Sequence, residues 1–283
     1  MREIILYKNF PVHGLIGLVL ILIFWAINWV ATGLRTHLAF FPLWLGYILF
    51  IDALVYKRKS SSLITRDLKR FCILFLISAP IWWIFELLNM FTGNWHYAGR
   101  EFFTDFEYFI LASISFSTVM PVVFESSELV STFRFFKAKI NGPVISPDSL
   151  TLRIFTAAGV TSLFLLLVLP EFFYPLLWLS LYFLIEPLNV KLKRDNLFQS
   201  TKNGNWQPVL TLFAGALLSG FFWEMWNYLS YPKWIYDLPY LNRWHIFEMP
   251  LPGYLGYLPF GLELFAFYNL IIKSNNNFLR INL

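Results

Sequence analysis

The amino-acid sequence predicts an all-α integral membrane protein of about eight transmembrane helices, arranged as two four-helix repeats of parallel topology. Three observations carry this expectation. Hydrophobic residues make up 58% of the 283-residue chain and charged ones only 14%, against roughly 45 to 50% and about 25% in soluble proteins. Eight apolar windows approach or reach the length needed to cross a hydrocarbon core, about 17 to 25 helical residues. Finally, one polar pattern, Glu-x-x-Asn, Trp-x-Tyr, Pro-x-x-x-Glu, is written twice in otherwise apolar sequence.

The windows run over 12-32, 41-56, 70-91, 108-131, 152-169, 173-189, 208-230 and 252-272. The first continues through Val30 into Ala31 and Thr32 without the small-residue cleavage site of a signal peptide, and reads as a retained span. The second and sixth are short and carry Asp52 and Glu186, as tilted or incomplete spans would. Turn and helix-start chemistry at Asn141-Gly142-Pro143 and Ser146-Pro147-Asp148 separates the halves, giving a first repeat over 1-140 and a second over 141-283. Four spans per half is an even number. Both copies then enter the membrane in the same direction, related by an axis along its normal.

Orientation follows from Lys and Arg. With the N-terminus inside, Arg2 and Lys8, the cluster from Lys57 to Arg70, and later groups through Arg280 fall in inside segments. Of 22 basic residues, only Arg35, Arg100, Lys233 and Arg243 fall outside, so the positive-inside rule puts both termini in the cytoplasm. The net charge of +5 therefore reflects membrane topology, and no nucleic-acid partner is expected.

The same reading excludes several chemistries. One cysteine, Cys72, in an apolar segment supplies neither disulfide nor thiolate cluster. Four scattered histidines, His13, His37, His96 and His245, lack the density of a metal oxygenase site. There is no Gly-rich phosphate loop and no nucleophile-His-acid arrangement. No metal or cofactor is expected.

The repeated pattern carries the candidate site. Glu86, Asn89, Pro121 and Glu125 recur 138 positions later as Glu224, Asn227, Pro259 and Glu263, and Trp95 and Tyr97 recur one position further on as Trp234 and Tyr236. At 1.5 Å per helical residue, Glu86 lies roughly 24 Å from the inner boundary and Glu125 and Glu263 roughly 14 to 15 Å from it. No span offers these acids a mid-membrane cation, a placement that favours the neutral carboxylic acid. Asn89 and Asn227, three positions after their glutamates, share a helical face with them and are placed to orient the acid proton. Trp83, Trp223 and Trp226 offer aromatic faces to a developing cation. The competing reading is that Glu and Asn hydrogen-bond helices together across the repeat interface. Glu128 aligns with Ala266 and is read as structural. Asp52 and Glu186, beside the basic inner clusters, are read as salt-bridging residues.

These residues resemble the membrane-embedded, tandem-repeat lycopene cyclases and related carotenoid-modifying proteins. The resemblance rests on Trp83-Ile84-Phe85-Glu86, Gly93-Asn94-Trp95-His96-Tyr97 and Met120-Pro121, and again on Phe222-Trp223-Glu224, Trp234-Ile235-Tyr236 and Leu258-Pro259. It covers about 81-128 and 219-266. Where the family pattern places two acids, this chain has Val123-Phe124 and Gly261-Leu262, with glutamate one position later. That shift turns the side chain by about 100° around its helix.

The leading expectation is a lycopene-cyclase-like, metal-free acid-base enzyme in which Glu86, Glu125, Glu224 and Glu263 protonate an alkene and recover a proton. The outcome is cyclisation, isomerisation or, by water capture, hydration. Its partner is membrane lipid or an apolar isoprenoid-like substrate, and no feature of the chain specifies an oligomeric state. Two other classes use the same residues: a proton- or cation-coupled transporter or channel, and a non-catalytic membrane scaffold.

Overall fold

A computed structural model describes residues 10–241, 243–273 and 278–279; Arg2, Lys8 and Arg280 lie outside them. Helices dominate, and seven helical stretches are long and apolar enough to cross a membrane. Large apolar side chains such as Val30, Leu76, Met90 and Phe106 stand on the outer surface. That surface suits hydrocarbon surroundings, in which helices satisfy their own backbone groups. The protein is an all-α integral membrane protein.

In chain order the helices are α1 Val12–Val30, α2 Thr36–Lys59, the short α3 Leu63–Arg66, α4 Leu68–Thr92, α5 Asp105–Phe116 and α6 Val119–Val130. There follow α7 Ser149–Val168, the single turn α8 Pro170–Phe173, α9 Leu177–Lys191, the short α10 Phe198–Thr201, α11 Gln207–Tyr228 and α12 Tyr257–Ile271. Four short strands, β1 Trp95–Ala98, β2 Lys233–Tyr236, β3 His245–Ile246 and β4 Met249–Pro250, lie in the loops.

The same order of packing occurs in each half. In the first, α1 packs on α2, and α2 and α4 pack on α6; in the second, α7 packs on α9, and α9 and α11 pack on α12. The α1–α2 contact is close because Gly17 and Gly46 face each other. A Cβ on Gly17 would stand 2.6 Å from the Gly46 carbonyl oxygen, so small residues set the crossing. The halves meet where α6 packs on α11 and where β1 pairs antiparallel with β2, Trp95 opposite Tyr236 and Tyr97 opposite Trp234.

Two expected spans differ in shape. The window over 108-131 is broken between α5 and α6 at Ser117-Thr118. Ser78 serves both edges of the break, donating to the Phe116 carbonyl (2.6 Å) and accepting from the Met120 N–H (3.0 Å), so the apolar interior tolerates it. The window over 252-272 becomes a 3-10 segment, Leu251–Gly256, followed by the 15-residue α12, because Pro252, Gly253 and Gly256 disfavour α-helix. At 1.5 Å per residue α12 is about 22 Å long, short of the roughly 30 Å core. Pro121 and Pro259 are each the third residue of their helix, where the missing N–H costs no intrahelical bond.

Among the described residues, neither Asp52 nor Glu186 pairs with a lysine or arginine, and of the salt bridges expected of them only an Asp52–His13 contact is present. Asp52 is bonded to His13 Nε2 (3.0 Å) and accepts the Ile64 N–H (3.0 Å), while Glu186 accepts the Leu197 N–H (2.5 Å). Each acid thus ties down the short helix after its basic loop, since backbone N–H groups at a turn are the nearer donors. The buried cation pair is instead Arg66 with Glu128 (2.6 Å), with Lys59 at 3.6 Å.

Candidate functional site

The β1–β2 ribbon roofs a cavity of about 570 Å³ whose wall is overwhelmingly apolar. Residues alternate across a strand, so Trp95 and Tyr97 from β1 and Trp234 and Tyr236 from β2 all line it. Its aromatic floor centres on Phe260, fully buried, whose ring meets Trp82, Phe85 and Trp178 edge-on at centroid distances of 5.7, 5.6 and 5.4 Å. Trp223 adds a further face at 6.3 Å.

Glu86 stands behind this wall. Its Oε1 accepts from Trp82 Nε1 (2.9 Å), Trp95 Nε1 (3.1 Å) and the Tyr97 hydroxyl (2.5 Å). Glu224, wholly buried, accepts on Oε1 from the hydroxyls of Tyr236 (2.8 Å) and Tyr257 (2.6 Å). Its Oε2 faces the Trp234 indole N–H, just outside good hydrogen-bond geometry. Neither glutamate touches the cavity, whereas Tyr97, Tyr236 and Tyr257 do. Tyrosine hydroxyls therefore separate the carboxyls from whatever occupies the cavity. Burial, reinforced by the adjacent carboxyl, pushes the Tyr97 and Tyr236 hydroxyls well above the ordinary tyrosine range, so both remain proton carriers at any physiological pH.

The donor sets of the two glutamates are related by an exchange. At the 138 offset, Trp82 corresponds to Gly220 and Val119 to Tyr257. A Cβ on Gly220 would come within 2.5 Å of the Tyr257 ring, so the glycine admits that ring into the volume a tryptophan would need. Each glutamate keeps an extra aromatic donor, supplied by its own helix α4 in one case and by α12 in the other.

The remaining expected site residues fall elsewhere. Asn89 does not reach Glu86: its amide donates to the Trp95 carbonyl (2.7 Å) and accepts the Trp95 N–H (3.2 Å). Asn227 holds Trp234 in the same way, at 2.7 and 3.0 Å. The asparagines are strand clamps, because a loop returning over the helix end presents a backbone pair that fits a primary amide. Trp83 bonds Ser113 (2.9 Å) and stacks on Phe109, away from the cavity. Trp226 packs against Trp44, and its carbonyl accepts the Asn28 amide (2.9 Å).

Glu125 and Glu263 also lie off the cavity. Both are fully buried. Glu125 faces Asp52 and Glu128, and Glu263 faces the α9 backbone at Leu181 and Tyr182. The cavity is thus lined by Trp95, Tyr97, Trp223, Trp234 and Tyr236, with Glu86 and Glu224 bonded to its tyrosines from behind, while Trp83, Asn89, Glu125, Trp226, Asn227 and Glu263 lie outside its lining.

Sequence reasoning missed Trp82, Trp178, Tyr257 and Phe260. For Trp82 and Tyr257 a signal existed in the paired Trp-to-Gly and Val-to-Tyr differences between the copies, and for Trp178 in its match to Trp44 at an offset of 134; for Phe260 none distinguished it from ordinary core. Among the described residues, no group of three or more His, Cys, Asp or Glu is arranged to hold a metal ion. Comparison of the chain with protein-family models, curated proteins and solved structures found no match.

Proposed function

We propose that this protein is a membrane-embedded acid-base enzyme acting on a long apolar, isoprenoid-like substrate drawn from the lipid phase, as a cyclase, isomerase or hydratase. The observation that carries the reading is the pairing of an apolar, aromatic-floored cavity with two carboxyls, Glu86 and Glu224, that meet it only through tyrosine hydroxyls.

In this reading the two halves are parallel repeats, each contributing one Glu-Tyr unit, in the cytoplasmic membrane with both termini inside. Once the tyrosine hydroxyl turns from the carboxyl to the cavity, the neutral carboxyl of one unit passes a proton to its tyrosine oxygen as that tyrosine gives its own to an alkene carbon. A C–H bond forms and a carbocation results, held against the faces of Trp82, Trp178 and Trp223. Attack by a second alkene closes a ring, and loss of a proton from the adjacent carbon to a Glu-Tyr unit leaves an isomer of the substrate. Capture by water, followed by loss of its proton, gives the hydrate instead. Either route balances without an oxidant or reductant. General acid-base transfer of this kind contributes on the order of 10²- to 10⁴-fold in rate.

Proton- or cation-coupled transport calls on the same acids but needs a polar route from the cavity to the inner face. The two acids placed for that route, Glu125 and Glu263, are off the cavity wall and, unlike Glu86 and Glu224, accept from no tyrosine hydroxyl that lines it among the described residues, which favours the enzyme. The test is turnover of lycopene and shorter acyclic polyenes by protein reconstituted in liposomes, read by mass. The expected product is isomeric with the substrate or heavier by one water, and Glu86→Gln and Glu224→Gln each lose at least about a hundredfold in rate. Wild-type rates in both variants would sink the proposal.

A further inference from the structure

One end of the cavity is chemically unlike the rest. Where β1 ends at Ala98, opposite Lys233 of β2, the wall includes Arg100, Lys233 and His37, and no aspartate or glutamate occurs in the described lining. The three basic side chains come from different segments, namely the turn after β1, the start of β2 and the first turn of α2. Gly99 brings two of these segments together by packing on Pro232, and the His37 ring meets the Phe103 ring at 5.2 Å.

Arg100 and Lys233 are each held in place yet keep a donor in reserve. Arg100 donates through Nη1 to the Phe103 carbonyl (2.7 Å) and through Nη2 to Asp105, and its guanidinium lies over the Tyr108 ring at 4.3 Å. Its Nε–H makes no hydrogen bond among the described residues. Lys233 donates to the Tyr228 carbonyl (3.3 Å) and to Glu248, which uses two of its three N–H groups. His37 Nδ1 is buried with no partner. One N–H on Arg100, one on Lys233 and the His37 ring nitrogen therefore stand free at one end of a cavity whose floor is hydrocarbon and aromatic. A pure hydrocarbon would leave all three unanswered. A carboxylate offers two oxygens, while a phosphate monoester offers three around one centre, each suited to a charge-assisted bond.

We propose that the cavity takes a single-chain amphiphile with a phosphate head, the head seated against Arg100, Lys233 and His37 and the isoprenoid-like chain laid over the aromatic floor toward the two Glu-Tyr units. The inference rests on the apolar-substrate reading above and narrows its substrate class to prenyl phosphates. It also fixes direction: the charged end stays at the outer surface while the chain enters from lipid.

The test uses the full chain in nanodiscs of zwitterionic lipid, with tryptophan fluorescence reporting occupancy. Five tryptophans, Trp82, Trp95, Trp178, Trp223 and Trp234, line the cavity. A C20 prenyl monophosphate should bind at least tenfold more tightly than the matching prenol, and inorganic phosphate should neither bind nor compete. The double variant Arg100→Gln/Lys233→Gln should lose that preference while still binding the prenol, and Arg100→Lys/Lys233→Arg should retain most of it. Equal affinity for phosphate and prenol, or an unchanged preference in the glutamine variant, overturns the phosphate head but leaves the apolar-substrate reading standing. Failure of phosphate, prenol and lycopene alike to perturb the fluorescence overturns both. Competition by inorganic phosphate would show a free-anion site and contradict the amphiphile.

Discussion

At the scale of single residues, the site turns on how a carboxyl is kept inside a membrane without a cation. Here aromatic donors do it: three reach Glu86 and two reach Glu224. Removing one donor by Tyr257→Phe should cost about 1 to 3 kcal/mol of stability, measured as a lowered Tm in detergent, since Glu224 is fully buried. The exchange between copies supplies a sharper check. Gly220→Trp alone should unfold or strongly destabilise the protein, because even a Cβ meets the Tyr257 ring at 2.5 Å. Gly220→Trp combined with Tyr257→Val rebuilds the Trp82–Val119 arrangement and should recover much of the loss. A double-mutant cycle with no coupling would show that the two positions are independent. The glutamates themselves were legible in the sequence as acids without cationic partners. Their tyrosine screens were not, because a Trp-x-Tyr spacing states which residues share a strand face but not what that face covers.

At the scale of elements, short pieces of backbone are pinned by single polar side chains. Asn89 and Asn227 each close two hydrogen bonds on a strand of the ribbon, so Asn89→Ala should cost about 1 to 3 kcal/mol and loosen β1 from β2. Amide hydrogen exchange at Trp95 to Ala98 would report it, rising in the variant while the centre of α11 stays protected. Ser78→Ala should carry a similar penalty by orphaning the Phe116 carbonyl and the Met120 N–H in an apolar interior. The i,i+3 spacing correctly placed Asn89 and Glu86 on one helix face, yet the amide's partner arrives from a loop that periodicity does not describe. The break between α5 and α6 was hidden for the same reason. Its sequence stays apolar throughout, and the residue that makes the break affordable lies about forty positions earlier, on α4.

At the scale of the whole molecule, hydropathy located the spans to within a few residues except where proline and glycine divide the last window. Glu125 and Glu263 fall off the cavity as a matter of helical phase, their helix faces being turned to Asp52 and Glu128 and to α9. The proposed orientation can be checked with single cysteines in a Cys72→Ser background: an impermeant maleimide applied outside intact cells should label Glu101→Cys and spare Ser61→Cys, and the reverse pattern would invert the topology. The central claim, that Glu86 and Glu224 exchange protons through tyrosines with an unsaturated chain in the cavity, is tested most directly by isotope uptake. Reconstituted protein incubated with lycopene or a C20 prenyl monophosphate in heavy water should place one deuterium on carbon per turnover. Uptake should fall by at least about a hundredfold in Glu86→Gln and Glu224→Gln. A product free of carbon-bound deuterium, or equal uptake in both variants, would contradict the account.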